Sequence, residues 1–276
     1  MKLSEERKRE LDQKCLEFRR DVVSVLHDIQ TGHPGGSLSV CEILTAIYLE
    51  KATIDPSRPG LPGRDKVVLC KGHAAPMLYR ILADLGYFPL SDLKTLRQIG
   101  SHLQGHPCPL HTPGVEAATG PLGAGYPVAL GMALANRLDG NGAYVYAVLG
   151  DGELDEGVIW ETCLNAAKQK AAGLITIVDH NGVQLDGTND EILPLGDLKA
   201  KFQAFGYSVL EVDGHDVSEL CDAIDQAKGN RAAPTVILAQ TVKGKGVSFM
   251  EGKNIWHGRP ISDADYEAAK KELGGE

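Results

Sequence analysis

The sequence predicts an α/β fold, a mostly parallel sheet flanked by helices, in a single domain over residues 1–276. Three observations predict it. Short β-rich apolar runs alternate with longer stretches of helical period, the order that βαβ units require. The runs are almost continuously apolar, as strands covered on both faces are. Two unusual segments, Gly150-Asp151-Gly152 and Asn181-Gly182, fall where such runs end. That places them on the carboxyl edge of the sheet, where ligands bind in open α/β folds.

The elements follow in order. The opening stretch, "MKLSEERKRELDQKCLEF", is a charged amphipathic helix and not a signal peptide. Helical period resumes after "TGHPGGSL" and runs through "SVCEILTAIYLE". "DKVVLC" reads as a strand, and "KGHAAPMLYRILADLG" as a loop followed by a helix. Residues 100–125 hold three His, four Pro and six Gly, a long loop of the kind that carries function. Helix "YPVALGMALANRL", strand "AYVYAVL", helix "VIWETCLNAAKQKA" and strand "LITIVDHN" come next. Then "YSVLEVDG", a helix near 216–228, strand "PTVILAQTV" and a last helix in "SDADYEAAKKELG", capped by Ser262, complete the alternation.

Composition narrows the function. Net charge is −9, which argues against a nucleic-acid partner, because phosphate neutralisation needs a basic face. A phosphorylated ligand must then be held by a metal, by helix N-termini or by individual His and Lys residues. No apolar run approaches the ~20 residues of a membrane span. The six cysteines never come closer than 26 positions, so no metal-type pair is present, and reduced thiols in a cytoplasmic protein are the expectation.

"VLGDGELDEG", Val148 to Gly157, sets one Asp between two glycines at the end of an apolar run. Asp151 and Asn181 lie 30 residues apart, each behind a strand and separated by one helix. If the strands are neighbours, a carboxylate and an amide oxygen converge, a hard and incomplete oxygen shell of the sort Mg²⁺ shares with substrate phosphates. An ordinary strand–helix turn with a capping Asp is the alternative for so short a motif.

The surrounding text carries a resemblance. "TGHPGGSLS", "KGHAAPMLY", "QGHP", "TPGVEAATGPLGAG", "LGDGELDEG", "DHNGVQLDG" and "KGKGVSFMEG…WHG", in that order, resemble the N-terminal half of transketolase, from about residue 11 to 260. The resemblance implies a thiamine diphosphate-binding fold and thiamine diphosphate with Mg²⁺ as cofactors. It implies Asp151 and Asn181 as metal ligands, with Val183 ligating through its carbonyl. His73, Gly120, Pro121, Leu122, Gly152 and Asn181 match positions that hold the diphosphate and its surroundings. His33, His106 and His257 match histidines around the reacting carbon, His257 also lying near the diphosphate. Glu156 matches an acid at the subunit contact. For His27, His102, His111, His180 and His215 a hydrogen-bonded structural role is the expectation.

In the resembling family, the glutamate that activates the cofactor's pyrimidine, the pocket for that ring and most sugar-phosphate arginines lie in a second domain, which no segment here resembles. The expectation is therefore the N-terminal subunit of a two-chain transketolase, an α₂β₂ assembly with a C-terminal subunit, acting on sugar phosphates. The α subunit of a thiamine-dependent 2-oxoacid dehydrogenase and a non-catalytic Mg-diphosphate binding module are the alternatives. "GHPGG" and "GPLGAG" fit the former poorly, and the retained histidines argue against the latter.

Overall fold

The structure, a computed structural model, describes residues 2–275. Helix α1 (Glu5–Ile29) starts at Ser4, whose side chain accepts from the Arg7 N–H, and carries Glu5 and Glu6 in its first turn, where the helix dipole favours acids. It buries Leu11, Cys15, Phe18, Val22 and Leu26, a stripe of three- and four-residue steps. Helix α2 (Pro34–Ser39) and α3 (Cys41–Ala46) follow, the latter running into a π turn at Ile47–Lys51. Then come β1 (Lys66–Leu69), α4 (Ala75–Asp84), α5 (Gly125–Asp139), β2 (Val145–Gly150), α6 (Gly157–Lys168) and β3 (Leu174–His180). After α7 (Asn189–Ile192) and α8 (Leu198–Ala204), the chain forms β4 (Ser208–Asp213), α9 (Val217–Gly229), β5 (Thr235–Gln240) and α10 (Asp263–Glu272). Among the described residues no helix is long and apolar enough to cross a membrane.

The five strands form one parallel sheet in the order β1-β2-β3-β5-β4. Its central strands are buried on both faces, and alternate residues feed two cores. Tyr146, Val148, Ile175, Ile177 and Ile237 pack with α1, α3, α4 and α9. Val145, Ala147, Leu149, Leu174, Val178, Val236 and Leu238 pack on the other side with α5, α6 and α8. This double covering is why the strands read as unbroken apolar runs.

Strands β2 and β3 are neighbours, with Gly150 paired to Asp179, so Asp151 and Asn181 emerge side by side from the sheet. One expectation needs correction. "TGHPGGSL" reads as a break between helices, yet Pro34–Ser39 is itself helical, with Pro at its first position. Its glycines serve close packing. A Cβ at Gly35 would stand 2.9 Å from the Trp256 carbonyl oxygen, and one at Gly36 would stand 3.0 Å from His73 Nε2. The terminal helix is capped by Ser262 in a full capping box with Asp265.

Candidate functional site

The carboxyl edge of the sheet opens into a cavity of about 240 Å³. Its wall brings together His33, His73, His106, Gly120, Leu122, Asp151, Gly152, Asn181, Val183 and His257, drawn from seven separate segments of the chain. Pro121 and Glu156 are exposed and stand outside this lining. Glu156 is the residue before α6 and packs its Cβ near Gly123.

The oxygen set is built from two strand ends. Asp151 is 2% exposed. Its Oδ1 accepts from the Gly152 N–H at 2.9 Å, and its Oδ2 accepts from Gly182 N–H at 2.6 Å and Asn189 Nδ2 at 3.0 Å. The carboxylate thus pins the loop after β3. Burial pushes its pKa up, against the pull of the Asn189 and Gly182 donors. Asn181 Oδ1 accepts from Val183 N–H at 3.2 Å, a local turn that leaves the Val183 carbonyl free to face a cation.

It faces one already. Lys243 Nζ donates to the carbonyls of Val183 and Gln184 at 3.0 and 2.7 Å and lies 3.1 Å from His257 Nδ1. Burial, and then the charge of Lys71, lowers the Lys243 pKa to about 8. Beneath this layer Lys71 and Asp179 form an ion pair with side chains 1% and 0% exposed. Asp179 also accepts from Ser39 Oγ at 2.6 Å and from Thr241 Oγ1. One carboxylate therefore ties together α2, the end of β1, β3 and the segment after β5.

Four histidine rings crowd together beside this layer. His33 lies 5.6, 5.9 and 5.4 Å from the rings of His73, His106 and His257, and His73 lies 4.9 Å from His257. Burial, then Arg97 and His106, lowers His33 to about 4, while burial, then Lys243, lowers His257 to about 3. His73 is pushed well down by burial and Lys71, and His106 is lowered by burial and Arg97. At neutral pH these rings are uncharged and offer a lone pair, as a proton acceptor requires.

The acids behind Asp151 have separate tasks. Glu153 is buried; its Oε1 accepts from the Gly123 N–H at 2.7 Å and its Oε2 from Gly150 N–H at 3.3 Å. Burial raises it to about 7 despite those donors. Asp155 accepts from Gln184 Nε2 at 2.9 Å, and Glu156 faces solvent.

The remaining histidines, His27, His102, His111, His180 and His215, stand outside the cavity lining. His27 stacks on Tyr266 at 4.3 Å and bonds Asp263, and His102 bonds Asp92. His215 links Glu42 to the Val242 N–H. His180 ends β3 with its Nδ1 buried and unpartnered.

Lys71, Asp179, Lys243, Glu153 and Asn189 belong to the site and escaped the sequence reading. Isolated lysines and acids carry no motif signal. The one hint was the position of Lys71 and Asp179 at the ends of β runs on the ligand edge.

The cavity fits a diphosphate with a hard cation. Oxygen donors stand beside ammonium groups, and glycines open the wall. A Cβ at Gly120 would come within 3.1 Å of the His106 ring, and one at Gly152 within 3.0 Å of Gln184. Asn189 Oδ1 is buried without a donor beside this set.

Comparison with known proteins agrees with this chemistry. Residues 12–276 match the family model described as "Transketolase, thiamine diphosphate binding domain". The chain is 43% identical over 256 residues to the 6-deoxy-6-sulfo-D-fructose transketolase subunit of a Clostridium species, covering 93% of each. It is 40% identical to an apulose-4-phosphate transketolase subunit of Actinobacillus succinogenes, covering 97% of each. Human transketolase is 38% identical over 232 residues, and there the match covers 84% of this chain and 37% of that one. Among solved structures, a transketolase of Pichia stipitis superposes with TM-score 0.91 at 31% identity, covering 97% of this chain and 41% of that one. The transketolase of Campylobacter jejuni gives 0.90 at 33%, covering 97% and 43%. The chain belongs to the transketolase family, as its thiamine diphosphate-binding domain.

Proposed function

We propose that this chain is the N-terminal subunit of a two-chain transketolase, one diphosphate-binding unit that moves a two-carbon ketol group from a ketose phosphate to an aldose phosphate. The observation that carries the reading is the cavity itself, where a hard-oxygen set and uncharged histidines share one chamber at the sheet edge. Asp151, Asn181 and the Val183 carbonyl would hold Mg²⁺. His73, Gly120, Leu122, Gly152 and Asn181 would hold the diphosphate, with Pro121 supporting its loop from outside. Bound there, thiamine diphosphate supplies the carbon nucleophile and electron sink of ketol transfer. His33, His106 and His257 hold and move protons at the sugar hydroxyls and carbonyl oxygen, the work for which lowered pKa values keep them neutral.

The relatives that match over nearly their whole length are named as subunits, and the chain spans about two fifths of the full-length transketolases. Both facts support a C-terminal partner that completes the site, in an α₂β₂ assembly. In this reading Glu156, which is exposed beside the cavity loop at Gly123, meets a second copy across the symmetric contact; its exposure supports that role.

The test is an assay of purified chain with Mg²⁺, thiamine diphosphate and a ketose–aldose phosphate pair, before and after addition of the C-terminal subunit. Activity is expected only from the mixture. Full activity from the lone chain refutes the two-subunit reading. Absence of transfer from the assembled, cofactor-loaded complex refutes ketol transfer.

A further inference from the structure

Beside the segments that present His33 and His106 lies a cation, Arg97, that the oxygen set and the histidines do not explain. Arg97 follows the turn Leu90–Thr95 and adopts a left-handed backbone with φ 62. That conformation is strained for a residue with a side chain, and it is held by a hydrogen bond from the Arg97 N–H to the Leu103 carbonyl at 2.9 Å. The side chain is exposed but not loose, because its Nη1 donates to Thr31 Oγ1 at 2.9 Å. Its guanidinium occupies the space left by Gly105, where a Cβ would stand 2.6 Å from Nε and 2.8 Å from Nη2. Thr31 and Gly105 sit two and one residues before His33 and His106. One guanidinium thus bridges the two segments that present those rings, and its charge is felt by both.

No carboxylate pairs with Arg97 among the described residues. Among the described residues, Arg7, Arg19, Arg58, Arg64, Arg80 and Arg259 do have such partners. An anchored guanidinium with donors to spare suits a tetrahedral oxyanion, which it meets with paired N–H groups. On a chain of net charge −9 it also offsets the repulsion an anionic substrate meets at the entrance.

We propose that Arg97 is a specificity-determining residue that grips the terminal anionic group, a phosphate ester or sulfonate, of the sugar whose reacting end faces His33, His106 and His257. The inference rests on the ketol-transfer reading above and adds a substrate contact from this subunit to whatever its partner supplies.

The experiment compares wild type, Arg97→Lys and Arg97→Ala in the assembled holoenzyme, using an aldose phosphate and an uncharged aldose of equal length as acceptors. Arg97→Ala is expected to raise KM for the phosphorylated acceptor about 10- to 100-fold, the loss of one charge-assisted contact. KM for the uncharged sugar should rise by less than about threefold, and Arg97→Lys should fall between. Inorganic phosphate, competing at the same place, should inhibit wild type more strongly than Arg97→Ala. Thiamine diphosphate binding by calorimetry confirms that each variant is folded. Equal losses with both acceptors, or no loss with either, overturn the proposal while leaving ketol transfer standing. No transfer by wild type with any acceptor overturns both.

Discussion

Replacing Lys71 by methionine removes one member of a wholly buried ion pair and exposes how the site is held together. The side chains of Lys71 and Asp179 are 1% and 0% exposed, so water cannot substitute for the lost ammonium. Breaking such a pair from one side costs about 3–5 kcal/mol, because the remaining charge stays buried without its partner. Asp179 keeps hydroxyl donors from Ser39 and Thr241, which places the expected loss at the lower end, about 3 kcal/mol. With a urea slope of about 3 kcal/mol/M, the unfolding midpoint should fall by about 1 M.

The pH dependence gives the sharper test. Burial alone would raise the Asp179 carboxyl, but the Lys71 charge and hydrogen bond, joined by the two hydroxyls, hold it below its usual 3.8. In wild type its contribution is therefore present above about pH 4 and lost as pH falls through the depressed folded value. In Lys71→Met burial prevails, the folded pKa moves above the unfolded one, and the carboxyl gains from taking up a proton. The deficit should be largest near pH 7–8 and shrink as pH falls toward 4.5. Lys71→Met/Asp179→Asn, with both charges gone, should recover most of the loss. A deficit below about 1 kcal/mol, or one independent of pH, would refute the argument.

Two further outcomes are expected. Asp151→Ala should abolish Mg²⁺-dependent binding of thiamine diphosphate, measured by calorimetry with the partner present, because Asp151 is the one charged oxygen donor assigned to the metal. The chain should stay folded, since burial already disfavours that carboxylate, and retained binding would remove the metal assignment. His33→Ala and His257→Ala should each lose about 10²–10⁴ in turnover while still assembling with cofactor, whereas His102→Ala and His111→Ala stay nearly silent. Wild-type turnover from either of the first two would return that histidine to a structural role.

The fold was legible because its signals are local and repeated. Apolar runs at 145–150, 174–180 and 235–240 alternate with helical period, and each forms a strand within a residue or two of its expected bounds. Asp151 and Asn181 were legible for the same reason, since a strand end fixes where a side chain emerges. The histidines were legible through the glycines and prolines around them. What the sequence does not display is charge compensation across long separations. Lys71 meets Asp179 over 108 positions, and Lys243 reaches Val183 over 60. Neither pair has a spacing rule, because the topology of the whole sheet brings them together. The helix at Pro34–Ser39 was missed because glycine signals a turn by its backbone freedom, while here it answers to atoms of Trp256 and His73.

Those long-range charges supply what both halves of the proposed function require. Lys71 and Lys243 line the cavity, and Arg97 stands beside the segments that present His33 and His106, on a chain whose net charge is −9. The acids beneath are satisfied from within: Asp179 by Lys71, Asp151 by backbone and amide donors, and Glu153 by Gly123 and Gly150. An incoming diphosphate therefore meets the ammonium groups of Lys71 and Lys243 in the same wall as the Asp151 carboxylate assigned to the metal. The same cations stand within reach of the histidine rings, and after burial they are the next cause of the lowered pKa at His33, His73, His106 and His257. A ring kept neutral beside a cation accepts a proton only when the chemistry generates one nearby, which is the condition a general base needs to stay unspent until substrate arrives. The cations that would hold an anion and the cations that lower the histidine pKa values are thus one group.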